Sequence, residues 1–434
     1  MKRKISDFLL NWKESEPRRV PLLLHGARHV GKTYVLKEFG EKHYKSCVYL
    51  NFEEDPALKA LFEDNVDPKK LIAAIESYFS TRVLPRETLI IFDELQNSSR
   101  ALTSLKYFCD SAPEYDLVCA SSLFGVHTSK ADYSFPVGKV ITKAMYPLDF
   151  EEFLWASDKI VFTSAIKDSF TSNMPISKIL HEGLMFLFHE FLLVGGLPLV
   201  VSSYLGSGGP FTFRDAQKLI VDSFISDISK YTDKTLCTRT IDAFNSVSQQ
   251  LAKPNKKFQY RLITKGARAS SYSESIEFLR RTGMVLRCDK NDVADTEPEV
   301  ISEVLSADIS SFKLYLCDVG LVSFLGGLTA ETRRIFDNSF MGGIVENFVA
   351  NSLAANGHEL LYWESDSKAK AQFLLSYGGK TIPVEVKAGE NVRSYSLSSY
   401  AKKFNPEYAV RISGKNFGFD NGVKSVPLYA TYLL

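Results

Sequence analysis

The chain has 434 residues, which sets an expectation of about three domains at roughly 150 residues each. With 45% hydrophobic, 24% charged and 12% aromatic residues, its composition is that of an ordinary globular protein, which excludes wholesale disorder and fibrous repeats. Its 52 Lys and Arg against 51 Asp and Glu leave a net charge of +1, so no global field draws it to nucleic acid or membrane, and any such surface must be local.

The chain opens with Ile5, Phe8, Leu9 and Trp12 at helical spacing, which predicts an amphipathic first helix. Short apolar runs then alternate with helical patterns. Strands are expected at Val20 to Leu24, Cys47 to Phe52, Leu89 to Phe92 and Leu117 to Ala120, with helices at Thr33 to Phe39, Pro68 to Phe79 and Ala101 to Asp110. Continuous apolar strands separated by helices point to a parallel sheet covered on both faces. From about 150 to 235 the pattern is mostly helical, broken at Gly195-Gly196-Leu197-Pro198. Residues 236–335 carry helices, then strand-like Met284 to Cys288 and Lys313 to Cys317. The last hundred or so residues read as α/β again, with strands at Leu360 to Trp363, Gln372 to Leu375, Ile382 to Val386 and Tyr408 to Ile412.

Cys47, Cys109, Cys119, Cys237, Cys288 and Cys317 form no Cys-x-x-Cys pair and sit singly in apolar segments, as reduced, buried thiols of a cytosolic protein would. The basic start Met1-Lys2-Arg3-Lys4 is followed by an apolar stretch that stops at Leu10, too short for a secretory signal. The apolar stretch from Phe191 to Val201 is interrupted by Gly195, Gly196 and Pro198 and is too short to span a bilayer. A soluble, cytoplasmic protein with no membrane partner is expected.

Gly26-Ala27-Arg28-His29-Val30-Gly31-Lys32-Thr33 is a complete Gly-x-x-x-x-Gly-Lys-Thr loop between an apolar strand and a helix. Its glycines let backbone N–H groups close around a phosphate, and the helix N-terminus adds positive potential. Lys32 would reach the β/γ oxygens of ATP, and the Thr33 hydroxyl would ligate Mg²⁺. Downstream, Thr88-Leu89-Ile90-Ile91-Phe92 leads into Asp93-Glu94. Asp93 at the strand end would hold the metal's hydration shell, and Glu94 would polarise an attacking water. The strand from Cys47 to Phe52 lies between them in sequence and fits an arrangement in which an extra strand separates loop and acidic pair. ATP hydrolysis is expected rather than passive binding.

These motifs are followed by Ser122-Leu123-Phe124-Gly125-Val126, Tyr146-Pro147-Leu148-Asp149-Phe150-Glu151-Glu152-Phe153, Gly195-Gly196-Leu197-Pro198, Tyr315-Leu316-Cys317-Asp318-Val319-Gly320-Leu321 and Pro383-Val384-Glu385-Val386-Lys387. In that order they resemble a family of prokaryotic AAA-type P-loop ATPases that carry a C-terminal restriction-endonuclease-like domain of unassigned function. The resemblance spans nearly the whole chain. It implies that Ser122 senses the γ-phosphate; Ser121 stands where relatives have Gly. An oligomeric enzyme of this type would need a trans-acting arginine, for which Arg100 and Arg214 are candidates, so a homo-oligomer belongs among the expected partners.

Between Leu251 and Lys290 there are ten Lys or Arg and three Asp or Glu, a local excess in a nearly neutral chain. A helix over Ser271 to Arg281 followed by a basic strand suits a DNA-binding winged helix, which the resemblance also implies. In the last domain, Glu346, Glu385 and Lys387 match the carboxylates and lysine of a nuclease site that holds Mg²⁺. The middle carboxylate is missing: Lys370-Ala371-Gln372-Phe373 stands where relatives have Glu-x-Asp-Phe, and Asp366 is off register. Gln372 removes a charged oxygen ligand, so nuclease activity is not expected of this degenerate site. His181-Glu182 and His189-Glu190 lie eight residues apart, which fails the spacing of a zinc helix.

The expected architecture is a P-loop ATPase core (1–155), a helical lid (156–235), a winged-helix region (236–335) and a restriction-endonuclease-like α/β domain (336–434). The expected function is Mg²⁺-dependent ATP binding and hydrolysis coupled to a DNA-binding winged helix and a nuclease-like domain. An ATP-gated DNA endonuclease and a non-catalytic, nucleotide-gated scaffold for a protein partner are the alternatives.

Overall fold

The apolar runs of the first third become a sheet in which the central strands have no solvent face. The computed structural model describes residues 1–15, 19–122, 136–206, 211–291, 311–329, 338–365, 369–390 and 395–434. They divide into two compact units, Met1–Tyr146 with Arg281–Gly283, and Pro147–Arg280 with Met284–Leu434.

The first unit runs α1 (Ile5–Glu14), β1 (Leu22–His25), α2 (Lys32–His43), β2 (Ser46–Asn51), α3 (Pro56–Asp64), α4 (Pro68–Phe79), β3 (Thr88–Asp93), α5 (Ser99–Ser111), β4 (Asp116–Ser121) and β5 (Ile141–Ala144). All of its strand pairings are parallel, in the order β2-β3-β4-β1-β5. Every residue of β3 and β4 is buried, as the uninterrupted apolar runs require of strands covered on both faces. On one side Leu58 and Phe62 of α3, Leu71, Ile72 and Ile75 of α4 and Leu102, Leu105 and Phe108 of α5 join Val48, Leu50, Ile90 and Phe92 in one core. Phe92 lies at its centre, edge-on to Phe52, Phe62 and Phe108 at centroid distances of 5.5, 5.3 and 6.2 Å. Asp67 and Ser98 cap α4 and α5, their side chains accepting from backbone N–H groups of the first turn.

Two elements were not anticipated from the pattern. Helix α3 has a cap signal in Asp55-Pro56, with Leu58 and Phe62 one turn apart, whereas β5 is mostly exposed and has no apolar signature. The spatial order also corrects one expectation. The strand separating the loop strand β1 from the acidic strand β3 is β4, and β2 takes the sheet edge. That edge position exposes Cys47, contrary to the expectation that every thiol is buried. None of the six cysteines is in a disulfide.

The second unit begins with helices: α6 (Phe150–Ala156), α7 (Val161–Ser172), α8 (Lys178–Val194), α9 (Pro198–Leu205), α10 (Phe213–Tyr231), α11 (Lys234–Leu251) and α12 (Ala269–Arg281). Then follow β6 (Val285–Lys290), β7 (Phe312–Leu316), α13 (Val319–Leu325), α14 (Asn338–Ala355), β8 (Leu361–Glu364), β9 (Lys370–Tyr377), β10 (Lys380–Val386), α15 (Tyr395–Phe404), β11 (Ala409–Ser413), β12 (Gly418–Asp420) and β13 (Val423–Pro427). Its eight-stranded mixed sheet has the order β12-β13-β11-β10-β9-β8-β6-β7. Because β6 pairs antiparallel with β7 and parallel with β8, one sheet crosses the expected 335/336 boundary.

Three of the sequence signatures meet at a packing junction in this unit. Asp149 and Glu152 form a reciprocal cap on α6, with bonds of 2.8 and 3.2 Å. Gly195 has φ +78°, and an added Cβ there would lie 2.1 Å from Asp318 Oδ1; at Gly196 it would lie 1.9 Å from the Leu148 carbonyl oxygen. Asp318 accepts from the Gly196 N–H at 2.6 Å and caps α13 through the Leu321 N–H at 3.2 Å. Only glycine fits two such close approaches. His181 is held by Tyr429 and the Gly414 carbonyl. Among the described residues, no helix is long and apolar enough to cross a membrane.

Candidate nucleotide-binding site

The loop after β1 has the backbone that its glycines permit. Gly26 has φ +148°, and a Cβ on it would lie 2.2 Å from the Met145 carbonyl oxygen. Gly31, at φ +97°, precedes the first turn of α2, and His29 is also left-handed at φ +67°. Arg3, buried at the start of the chain, donates to the Val30 carbonyl at 2.8 Å and ties the loop to the N-terminal segment. The Lys32 ammonium curls over the loop, donating to the carbonyls of Gly26 and Ala27 at 2.9 and 2.8 Å. Burial, then Arg28 and Lys32 nearby, push His29 down to about 4, so its imidazole is neutral at pH 7. Burial and Lys32 likewise lower His25. Arg28 pairs with Glu53 at 3.1 Å on the surface.

The acidic end of β3 faces this loop. Asp93, almost fully buried, accepts at Oδ2 from the Thr33 hydroxyl at 2.7 Å and from the Tyr49 hydroxyl at 2.7 Å. Its side-chain partners are hydroxyls, and oxygen ligands of this kind suit a hard divalent cation such as Mg²⁺. Glu94 sits at φ +50°, a left-handed conformation uncommon for a residue with a side chain, and its N–H donates to Asp93 Oδ1 at 2.9 Å.

Around Glu94 lies a ring of side chains drawn from the adjacent ends of β3 and β4. Glu94 Oε2 accepts from the Ser122 hydroxyl at 3.0 Å and from the Gln96 amide. Gln96 Nε2 also donates to Ser122 Oγ at 3.1 Å, while its Oε1 accepts from the Ser121 hydroxyl at 2.8 Å. Thus Lys32 and Thr33 come together with Asp93, and Glu94 comes together with Ser122. Residues 123–126, the remainder of one signature, lie outside the described residues.

Arg3, Tyr49 and Gln96 were given no role in sequence, and Ser121 was noted only for standing where relatives have Gly. Gln96 lay within the quoted Phe92-Asp93-Glu94-Leu95-Gln96 string, and Tyr49 was legible only as a strand residue. Neither arginine candidate projects an unoccupied guanidinium. Arg100 donates to the Phe62 and Glu63 carbonyls at 3.3 and 3.2 Å, and Arg214 is bonded to Gln217 and the Leu328 carbonyl.

In the second unit, the carboxylates matched to a nuclease site have different partners. Glu346 accepts at Oε1 from Lys313 and from the Tyr315 hydroxyl, both at 2.7 Å, and Lys256 approaches Oε2 at 3.9 Å. Burial alone would push Glu346 up; Lys313, Lys256 and the two hydrogen bonds outweigh it and hold the carboxyl below its ordinary value. Glu385, 1% exposed, lies 3.4 Å from Lys387 and 3.2 Å from Arg411. Gln372 Oε1 accepts from the Val386 N–H at 3.1 Å. Asp366 lies outside the described residues.

Residues 18–154 match the family described as an AAA domain. The sheet, the loop and this match define an AAA-type P-loop domain in the first third of the chain. Residues 185–332 and 341–431 match two families, each described as a domain of unknown function (DUF8612 and DUF4143). No curated protein matches the chain. Among solved structures, a Walker-type ATPase of Pyrococcus abyssi is 16% identical, with 75% of this chain and 95% of that one covered and a TM-score of 0.43. The ORC2 protein of Aeropyrum pernix, in its ADPNP–ADP complexes, is 11% identical over 75% of this chain and 90% of that one, with a TM-score of 0.33. The ORC1 protein of the same organism, in complex with DNA, is 13% identical over 75% and 91%, with a TM-score of 0.28.

Proposed function

We propose that the first unit binds ATP with Mg²⁺ and hydrolyses it, and that nucleotide state governs a second unit that contacts DNA without cutting it. The observation that carries the reading is the double convergence at the loop: Thr33 on Asp93, and Ser122 with Gln96 on Glu94. The backbone N–H groups of residues 26–33 and the start of α2 receive the phosphates. Lys32 leaves the loop carbonyls to neutralise β/γ oxygens. Thr33 and Asp93 hold Mg²⁺, which when bound supplies positive charge to the phosphate oxygens. Glu94 orients a water towards the γ-phosphorus, and Gln96 keeps its carboxylate from swinging away. Ser122, bonded to Glu94, reports whether the γ-phosphate is present. The direct test is Mg-ATP binding by the purified chain. Affinity that Lys32→Ala abolishes is expected; no affinity, or affinity indifferent to Lys32, contradicts the reading.

For the second unit, the winged-helix reading is supported by the order α11, α12 and the antiparallel pair β6–β7, a pair that also joins the larger sheet through β8. Within 251–290, Lys253, Arg261, Lys265 and Arg268 are exposed. Lys256, Lys257, Arg280 and Arg287 are paired with carboxylates, so the cationic face is smaller than the sequence suggests. Duplex binding that weakens steeply with salt, and less steeply after Arg261→Ala with Lys265→Ala, is expected. Absence of salt-dependent binding favours the protein-partner scaffold instead. From α14 onward, the order helix, three strands, helix, strand supports a restriction-endonuclease-like domain. Its Glu346 and Glu385, neutralised by lysine and arginine, favour a non-cutting reading, so DNA should remain intact under Mg²⁺ and Mn²⁺.

A further inference from the structure

The carboxylates of the second unit are outnumbered. Glu346 meets Lys313 and Lys256, Glu364 meets Lys257 and Lys370, and Glu385 meets Lys387 and Arg411: six cations for three carboxylates among these ion pairs. Lys256 joins the three groups, because the charges of Glu346, Lys313, Lys370 and Lys387 all act on it. Its ammonium is largely buried, and both burial and the three like charges disfavour it. Every oxygen of Glu346 and Glu385 already faces a cation or a hydroxyl donor within 3.9 Å, so the negative charge a metal ion would need is largely balanced by protein cations. Gln372 accepts the Val386 N–H at its carbonyl oxygen, and that bond orients the side chain, whose amide nitrogen carries two donors. Lys370 and Lys387 remain about two-fifths exposed, with side-chain values of 40% and 37%, and form the solvent side of the cluster. A half-buried cluster with surplus positive charge is stabilised by an anion that accepts several charge-assisted hydrogen bonds at once.

We propose that the second unit holds a phosphoryl group in this cluster, bound by Lys256, Lys370, Lys387 and the Gln372 amide, at the position where a nuclease of similar architecture would hold a metal ion. The site is independent of the ATP reading. The tetrahedral oxygens of a phosphate suit ammonium groups arriving from β9, from the end of β10 and from the loop after α11, and the phosphate's charge offsets the surplus. Lys313 serves a different purpose: it is buried and neutralises Glu346.

The test is isothermal titration of the full chain carrying Lys32→Ala, so that the P-loop contributes no phosphate binding whether or not the ATP reading holds. The ligands are inorganic phosphate, a 5′-phosphorylated DNA oligonucleotide and the same oligonucleotide without the phosphate. One-to-one binding is expected, weakened about tenfold or more by Lys370→Gln with Lys387→Gln and retained in Lys387→Arg. Preference for the phosphorylated oligonucleotide identifies a terminal phosphate, equal binding of both oligonucleotides a backbone phosphodiester, and binding of inorganic phosphate alone a free anion. The proposal fails if none of the three binds, if binding ignores the paired Gln changes, or if Mg²⁺ binds in a manner that Glu385→Gln abolishes. To separate lost binding from lost folding, the melting curve of the Gln pair is compared with that of Lys387→Arg, whose retained binding must accompany an unchanged fold.

Discussion

Asp93 and Glu346 are both buried carboxylates that accept from hydroxyls, yet Glu346 also has two ammonium groups beside it. Thr33 and Tyr49 give Asp93 hydrogen bonds without a countercharge, the arrangement on which the proposed Mg²⁺ role rests. Lys313 and Lys256 have already supplied Glu346 with its counter-charge. The residue type is nearly the same; the countercharge decides whether it is poised for chemistry or consumed by structure. Asp318 is a third case, buried with backbone N–H partners only, and burial pushes it up to about 6.

The comparison breaks first at Lys313. Removing one partner of a buried ion pair strands the other, so Lys313→Met should cost about 3–5 kcal/mol in denaturant unfolding. An effect under about 1 kcal/mol would mean that Glu346 does not depend on it. Asp318 gives the next test, through pH. Its folded value lies above the ordinary 3.8, so the stability it contributes is full below that value and is lost as pH rises to about 6. Between pH 4 and 6 the wild type should therefore lose about 2 kcal/mol relative to Asp318→Asn, out of about 3 kcal/mol over the whole titration. Glu346, held below its ordinary value, runs the other way: its contribution is present above that value and lost as pH falls.

At the loop, the effects fall on ligand rather than fold. Thr33→Val should weaken Mg²⁺-dependent nucleotide binding about 10- to 100-fold while changing stability by less than about 1 kcal/mol. Equal loss in binding and stability would make Thr33 a structural cap on Asp93. Tyr49→Phe, which removes one of the two hydroxyls on Asp93, should raise the Mg²⁺ concentration needed for half-maximal turnover by only a few-fold.

The loop and the acidic strand were legible because their chemistry is local: Gly26 and Gly31 have backbone angles that glycine permits, and Leu89–Phe92 is an uninterrupted apolar run leading into Asp93. What pattern could not carry was lateral order. That β4, not β2, lies beside β1 is a matter of crossover connections, and it is this order that brings Ser121 and Ser122 to Gln96 and Glu94. The recurring strings at 146–153, 195–198 and 315–321 were legible as signatures but not as a junction, since the approach of Gly196 to Leu148 and Asp318 exists only in three dimensions. The basic run at 251–290 misled in degree. Lys256 and Lys257 reach carboxylates a hundred residues away in the chain, which local charge counting cannot see.

The central claim is that Glu94 is a catalytic carboxylate held by Ser122 and Gln96, and ATP turnover with Mg²⁺, with and without duplex DNA, tests it most directly. The account predicts turnover in the wild type and its loss by about 100-fold or more in Glu94→Gln, with Mg-ATP binding retained. Undiminished turnover in Glu94→Gln would contradict it.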